Sequence, residues 1–296
     1  MFPAMTPLLV VLLAAALVAA VLATWGPGNH LEFEHRVFRR RHERLPAATA
    51  RLLEEHREAW QYGHIAADII NLKGAGGPYS HCHRWGIVGE MQELSTSDFE
   101  RAFTLGYLAH LAADTIAHNH FVPYHLARFA RTQGLGHLYW EMNADRFVPD
   151  ERWNVVTRLK SNPALVPLDQ LVNRTVPKKA LSMGTNKLIF NHVLLVSERG
   201  TWRAGVERLH PRGNLELKRG FLDRFRDAAV ERIFLALSRH GVERIAHVDA
   251  NGKAAQKAAV VARKALLHRI LPRSMSEDLS TALAAPFLVG MQSPPP

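Results

Sequence analysis

The sequence predicts an all-α protein, and three observations carry that expectation. Apolar residues recur at helical spacing through most of the 296 residues and almost nowhere alternate as a half-buried strand requires. Histidine and carboxylate residues recur four apart, as His110 with Asp114 and His137 with Glu141, a spacing that stacks two side chains on one helix face. Proline and glycine punctuate the periodic stretches, at Pro46, at Gly74 to Pro78, and at Pro163, Pro167 and Pro177. An apolar content of 47% is ample for a core in one large domain or two modest ones.

The first element is the apolar run Leu8 to Ala23. At about 16 residues it is short for a membrane span, which needs roughly 20, and suits the core of an export signal. Val21-Leu22-Ala23 offers residues fit for cleavage, although MFPAMTP carries no Lys or Arg. Residues 1–24 therefore read as a signal peptide or membrane anchor outside the fold, and the protein as exported, periplasmic or secreted, with tethering as the alternative. Trp25 to His30 is turn-rich, and Leu31 to about Tyr62 is helical, with Phe33, Val37, Leu45, Leu52, Leu53 and Trp60 as its apolar positions and a break at Pro46. YGHIAADIINLKGAGGPYSHCHRW ends a helix in a Gly-rich connector that lacks the phosphate-cradling GxxxxGK[ST] pattern.

Ser97-Asp98 caps the next helix, which carries His110 and Asp114, and a partner helix carries His137 and Glu141. Residues 149–199 read as loops with short helices because of their prolines. Leu215 to His240 is amphipathic, and Lys253 to Leu271 is basic, with six Lys or Arg and no acid across 251–273. That helix is either a solvated face or a contact to an anionic membrane or polymer. The expected domains are thus residues 25–200, catalytic, and 201–296, a helical basic extension.

Composition narrows the chemistry. One cysteine, Cys82, excludes an intramolecular disulfide. A formal net charge of +10 favours anionic partners. Twelve of the seventeen histidines lie between His30 and His137, so histidine is concentrated where the paired spacings occur. His110 and Asp114 stand in a nearly all-apolar run, and a buried charge is normally paired or metal-bound. With His120 as a spare ligand, the pairs suit zinc, which takes N and O donors at roughly 2.0–2.2 Å. His30, Asp68, His81 and His83 are further candidates, each with an ordinary surface or packing role as the alternative.

The segments WGPGNH, YGHIAAD, SHCHRW, GYLAHLAADTIAHNH and GHLYWE together resemble the zinc-dependent phospholipases C of bacteria, whose helical fold is shared with zinc-dependent single-strand nucleases. The resemblance implies up to three zinc ions. Asp114 would bridge two of them, one completed by His110 and by His81 or His83, the other by His30 and the backbone amine and carbonyl of Trp25. The third would take His120, His137 and Glu141. Asp68 would be a further ligand or the general base. His64, His118 and His125 would be left for orienting or surface roles, because His120 has the family's spacing after Asp114. Ala67 replaces a usual proline, and the tryptophan ligation requires Trp25 to become the mature N-terminus.

The function expected is phosphodiester hydrolysis, foremost phospholipase C action on phospholipids at an anionic membrane surface. The final HxxxE and the YGHIAAD segment favour lipid. Nucleic acid is the alternative substrate, as for a single-strand nuclease or 3′-nucleotidase, and would need aromatic platforms such as Trp60, Trp85 or Trp140. A non-catalytic membrane-associated zinc protein is the third reading; structural zinc sites usually use cysteine, which this chain nearly lacks.

Overall fold

The computed structural model describes residues 26–70, 82–129, 133–176, 183–187, 217–267 and 273–292. Residues 1–24, Trp25, His81 and the expected boundary near residue 200 lie outside them. Among the described residues every regular element is helical and none is a strand, as the sequence predicts.

The organising element is α6 (Asp98–Ile116). Its start is fixed by a capping box: Ser97 Oγ accepts from the Glu100 amide, and Glu100 Oε2 accepts from the Ser97 amide. Its last fourteen residues are apolar or small apart from Thr104, His110, Asp114 and Thr115, and nearly all are buried. A helix apolar on all sides must be surrounded. On one side runs α4 (Arg57–Ile69), which carries Asp68, and on another α11 (Arg219–Leu237). The α4–α6 contact is glycine on glycine. A Cβ on Gly63 would lie 2.2 Å from the Phe103 carbonyl oxygen, and one on Gly106 would lie 2.2 Å from that of Trp60. This close approach brings Asp68 level with His110.

Helix α1 (Pro27–Arg39) enters with proline in its first turn and lies against α4, α9 (Asp150–Ser161) and α11. Between α1 and α4 come the one-turn α2 (Arg41–Arg44) and α3 (Ala47–Glu55), separated at Pro46. Helix α5 (Gly86–Leu94) precedes α6. After Ile116 the chain widens into a π-helical turn, Ala117–Phe121, and continues as α7 (Val122–Phe129) and α8 (Gln133–Asp145), the latter carrying His137 and Glu141.

The proline-marked stretch after 149 is more regular than its sequence suggests. Pro149 is the N-cap of α9, and Pro167 lies in the first turn of α10 (Val166–Thr175). Proline there starts helices instead of breaking them, because its missing N–H falls where no helical partner exists. The later chain is not peripheral. Beyond α11 and the short α12 (Gly241–Ile245), α13 (Lys253–Leu267) and α14 (Arg273–Ala284) both pack on α7.

The glycine contact yields a prediction. Gly106→Ala forces a methyl into backbone, which costs about 2 kcal/mol or more. The metal-free variant should melt at least about 4 °C lower than wild type; an unchanged melting temperature would show that α4 and α6 separate without penalty.

Candidate metal centre

Two clusters of ligand-type side chains meet at the C-terminal half of α6. In the first, His30 from α1, Asp68 from α4, His83 from the turn before α5, and His110 and Asp114 from α6 converge, all of them buried. His83 Nε2 is 3.1 Å from Asp114 Oδ2 and 3.1 Å from His110 Nε2, and His110 Nε2 is 3.2 Å from the same Asp114 oxygen. Those three edges match a tetrahedron of ligands around one ion, whose edges run about 3.3–3.4 Å for bonds of roughly 2.0–2.1 Å. His30 stacks on His110 at 4.0 Å and brings its Nε2 to 3.4 Å from Asp114 Oδ1.

The protons point the wrong way for an ordinary hydrogen-bonded cluster. His110 Nδ1 stands 2.9 Å from the His64 carbonyl, which can only accept, so the proton of the neutral ring sits there. Cys82 Sγ–H turns to the Ala67 carbonyl, leaving the sulfur to accept from His83 Nδ1 at 3.1 Å. Both Nε2 atoms therefore face each other as lone pairs. Neither oxygen of Asp114 receives a hydrogen bond. Burial works to raise Asp114, but His110 and His118 beside it hold its carboxyl well below the usual carboxylate range. His110 is lowered by its burial and by His30 beside it. Bare acceptors converging in a dry interior are what a metal cation satisfies.

The second cluster is His118, His137 and Glu141. His137 Nε2 lies 2.7 Å and His118 Nε2 3.3 Å from Glu141 Oε1. The Nδ1 atoms turn outward again, His118 to the Ala250 carbonyl at 2.6 Å and His137 to Gln256 Oε1 at 2.9 Å. Burial opposes charge on His118, yet Asp114, Glu141 and the Ala250 carbonyl raise its pKa above the ordinary histidine value. His118 Nδ1 is 4.0 Å from Asp114 Oδ2, so the clusters adjoin through these two residues.

The structure thus brings together His30, Asp68, His83, His110 and Asp114, and separately His137 and Glu141. His81 and Trp25 lie outside the described residues. His120 does not join. Its Nδ1 bonds to the Phe287 carbonyl at 2.8 Å, burial lowers its pKa, and His118 occupies the place expected for it. Helix geometry explains the exchange: at about 100° per residue His118 falls about 40° from Asp114 and His120 about 120° from it, and the wider π turn keeps His118 on the Asp114 side. His125, the remaining histidine of this stretch, is buried against Phe121 and Trp140, with a pKa pushed down by burial to about 3.

Residues 29–180 match the family model for zinc dependent phospholipase C, slightly more than half of the chain. The chain belongs to the zinc-dependent phospholipase C family. No curated protein and no solved structure matches it. Zinc is accordingly the metal that these clusters fit, and the donor set, imidazole nitrogen with carboxylate oxygen and no thiolate, agrees with a hydrolytic rather than a purely structural zinc centre. In this member of the zinc-dependent phospholipase C family the candidate ligands lie on both sides of the matched segment's midpoint, from His30 to Glu141.

His118→Ala should remove one zinc from the purified protein, whereas His120→Ala should leave zinc content at the wild-type value. Elemental analysis of both variants checks this, and zinc lost only from the His120 variant would reverse the assignment.

Proposed function

We propose that the protein is an exported phospholipase C that cleaves the glycerol-side phosphoester of membrane phospholipids, releasing diacylglycerol and a phosphorylated headgroup. The observation that carries this reading is the pair of adjoining clusters, each with imidazole nitrogens and carboxylate oxygens turned inward. Bound zinc lowers the pKa of coordinated water toward neutrality and offsets charge on a phosphodiester. His30, His83, His110 and Asp114 would hold metal in the first cluster, and His118, His137 and Glu141 in the second. Two ions are supported by these residues, and a third depends on Trp25.

Asp68 is assigned the proton. Its oxygens stand 3.7–3.8 Å from the Nε2 atoms of His30, His83 and His110, beyond hydrogen-bond reach of those rings. A carboxylate at that distance can accept a proton from water attacking phosphorus in line and orient that water before attack. Lipid is favoured over nucleic acid because the tryptophans that would stack bases are otherwise engaged. Trp60 and Trp140 are fully buried in the core, and Trp85 Nε1 donates to the Val248 carbonyl.

Attachment to an anionic membrane surface is supported by α13. Its buried side presents Gln256, Ala259 and Leu266, while Lys253, Lys257 and Lys264 share the opposite, exposed face with Val261, which is 59% exposed. Lysines around an exposed apolar residue suit a headgroup layer. Among the described residues no helix is long and apolar enough to cross a membrane.

Two experiments test these readings. The zinc-loaded protein should release diacylglycerol from mixed phosphatidylcholine and phosphatidylglycerol vesicles, and Asp68→Asn should slow this by about 10²- to 10⁴-fold. Cleavage of single-stranded DNA without diacylglycerol release would overturn the lipid assignment. Replacing Lys253, Lys257 and Lys264 by alanine should weaken binding to phosphatidylglycerol vesicles by roughly 1 kcal/mol per lysine, with hydrolysis of a soluble phosphodiester retained. Unchanged vesicle binding would make that face an ordinary solvated one.

A further inference from the structure

We propose that residues 248–256, which lie beyond the family-matched segment, form a clamp that sets the proton positions of the second cluster, with Gln256 as its positioning residue. The clamp is a run of backbone carbonyls, each facing a donor on or near the site. Val248 accepts from Trp85 Nε1, Asp249 from Asn119 Nδ2 at 2.8 Å, Ala250 from His118 Nδ1, and Asn251 from Gln256 Nε2 at 2.9 Å. The last contact decides the orientation of the amide. A carbonyl can only accept, so the Gln256 nitrogen faces Asn251 and its oxygen faces His137 Nδ1. His137 must then carry a proton on Nδ1, which turns Nε2, 2.7 Å from Glu141 Oε1, toward the place of the metal. Gln256 is 4% exposed, so water does not stand in for it.

The backbone is shaped to reach this position. Gly252 has φ +58°, in the left-handed region, and a Cβ there would lie 2.1 Å from the His118 carbonyl oxygen. Asp249 closes the turn by accepting from the amides of Asn251 and Lys253. The segment therefore presses on the ligand-bearing π turn and starts α13 at the same point. An outer partner of this kind is worth about 10–100-fold in metal affinity. The inference rests on the metal reading of the second cluster but not on lipid as substrate.

The test uses the full-length protein and zinc alone, titrated against a competing chelator, with the circular dichroism spectrum of the metal-free form as the folding control. Gln256→Leu should lower the affinity of one zinc by about 10–100-fold and leave the other zinc unchanged. Gln256→Glu, which keeps an acceptor for His137, should recover most of the loss. Histidine-selective nitrogen NMR of the metal-free protein should place the His137 proton on Nδ1 in wild type and not in Gln256→Leu, a signature that mere loss of packing does not produce. Equal affinities for both zincs in wild type and Gln256→Leu, or a His137 Nδ1 without a proton in wild type, would overturn the clamp. If His118→Ala and wild type bound the same number of zincs, the metal reading itself would fall. Should Gln256→Leu not fold, Gly252→Ala tests the same clamp through His118 and should weaken the same zinc.

Discussion

Much of this structure follows from one buried carboxylate. Asp114 is fully enclosed, and neither of its oxygens receives a hydrogen bond. An ionised group in that position costs several kcal/mol unless something positive stands against it. Imidazoles do stand around it, but His110 has its proton committed to a backbone carbonyl on the far side of the ring. The remaining demand is for a cation placed between lone pairs. Helix α6 can carry this demand through the core because its neighbours, held close by Gly63 and Gly106, bring ligands from other elements to the same level.

The outward protons are the counterpart of that demand. His110, His118 and His137 each have Nδ1 committed, to the carbonyls of His64 and Ala250 and to the Gln256 side chain. Backbone acceptors of this kind cannot reverse their polarity, so the tautomers are set by the fold and not by the metal. A second polar chain holds the ligand helices to one another. Arg226 of α11, 1% exposed, grips Asn29 Oδ1 through Nε and Nη2, and Asn29 Nδ2 donates to Asp145 at 2.6 Å. Asn29 adjoins His30, and Asp145 lies one helical turn beyond Glu141. Burial raises the Asp145 pKa to about 7. The guanidinium thus ties α1 and α8 to a helix far along the chain.

What the sequence conveys about this site divides along physical lines. The all-α class is legible because helical periodicity is a local property, written along α6 and α11 residue by residue. The pairs His110/Asp114 and His137/Glu141 are legible for the same reason. The choice between His118 and His120 was legible too, since His110-x3-Asp114-x3-His118 keeps three residues on one face, but the family's usual spacing pointed to His120 instead. Nothing local marks Gln256, Ala250 or Arg226. Their roles depend on how α11 and α13 pack, and such contacts between residues more than a hundred positions apart leave no periodic trace. Pro149, Pro163 and Pro167 mislead in the other direction, because proline weakens a helix interior yet suits a helix start, and Pro177 lies outside the described residues.

Charge sets a lower bound on what the centre must hold to act on a phosphodiester. The protein as a whole carries a formal charge of +10, while the centre concentrates Asp68, Asp114 and Glu141 in a buried space. With neutral imidazoles, those three carboxylates bring a charge of −3. A single dication would leave the centre negative and repel a phosphodiester anion, an interaction weakly screened where water is excluded. Two dications would make it positive by one unit, and the two adjoining clusters offer groups of donors for them. A net positive charge favours anionic partners at long range, and a centre loaded with two dications would favour the phosphodiester itself.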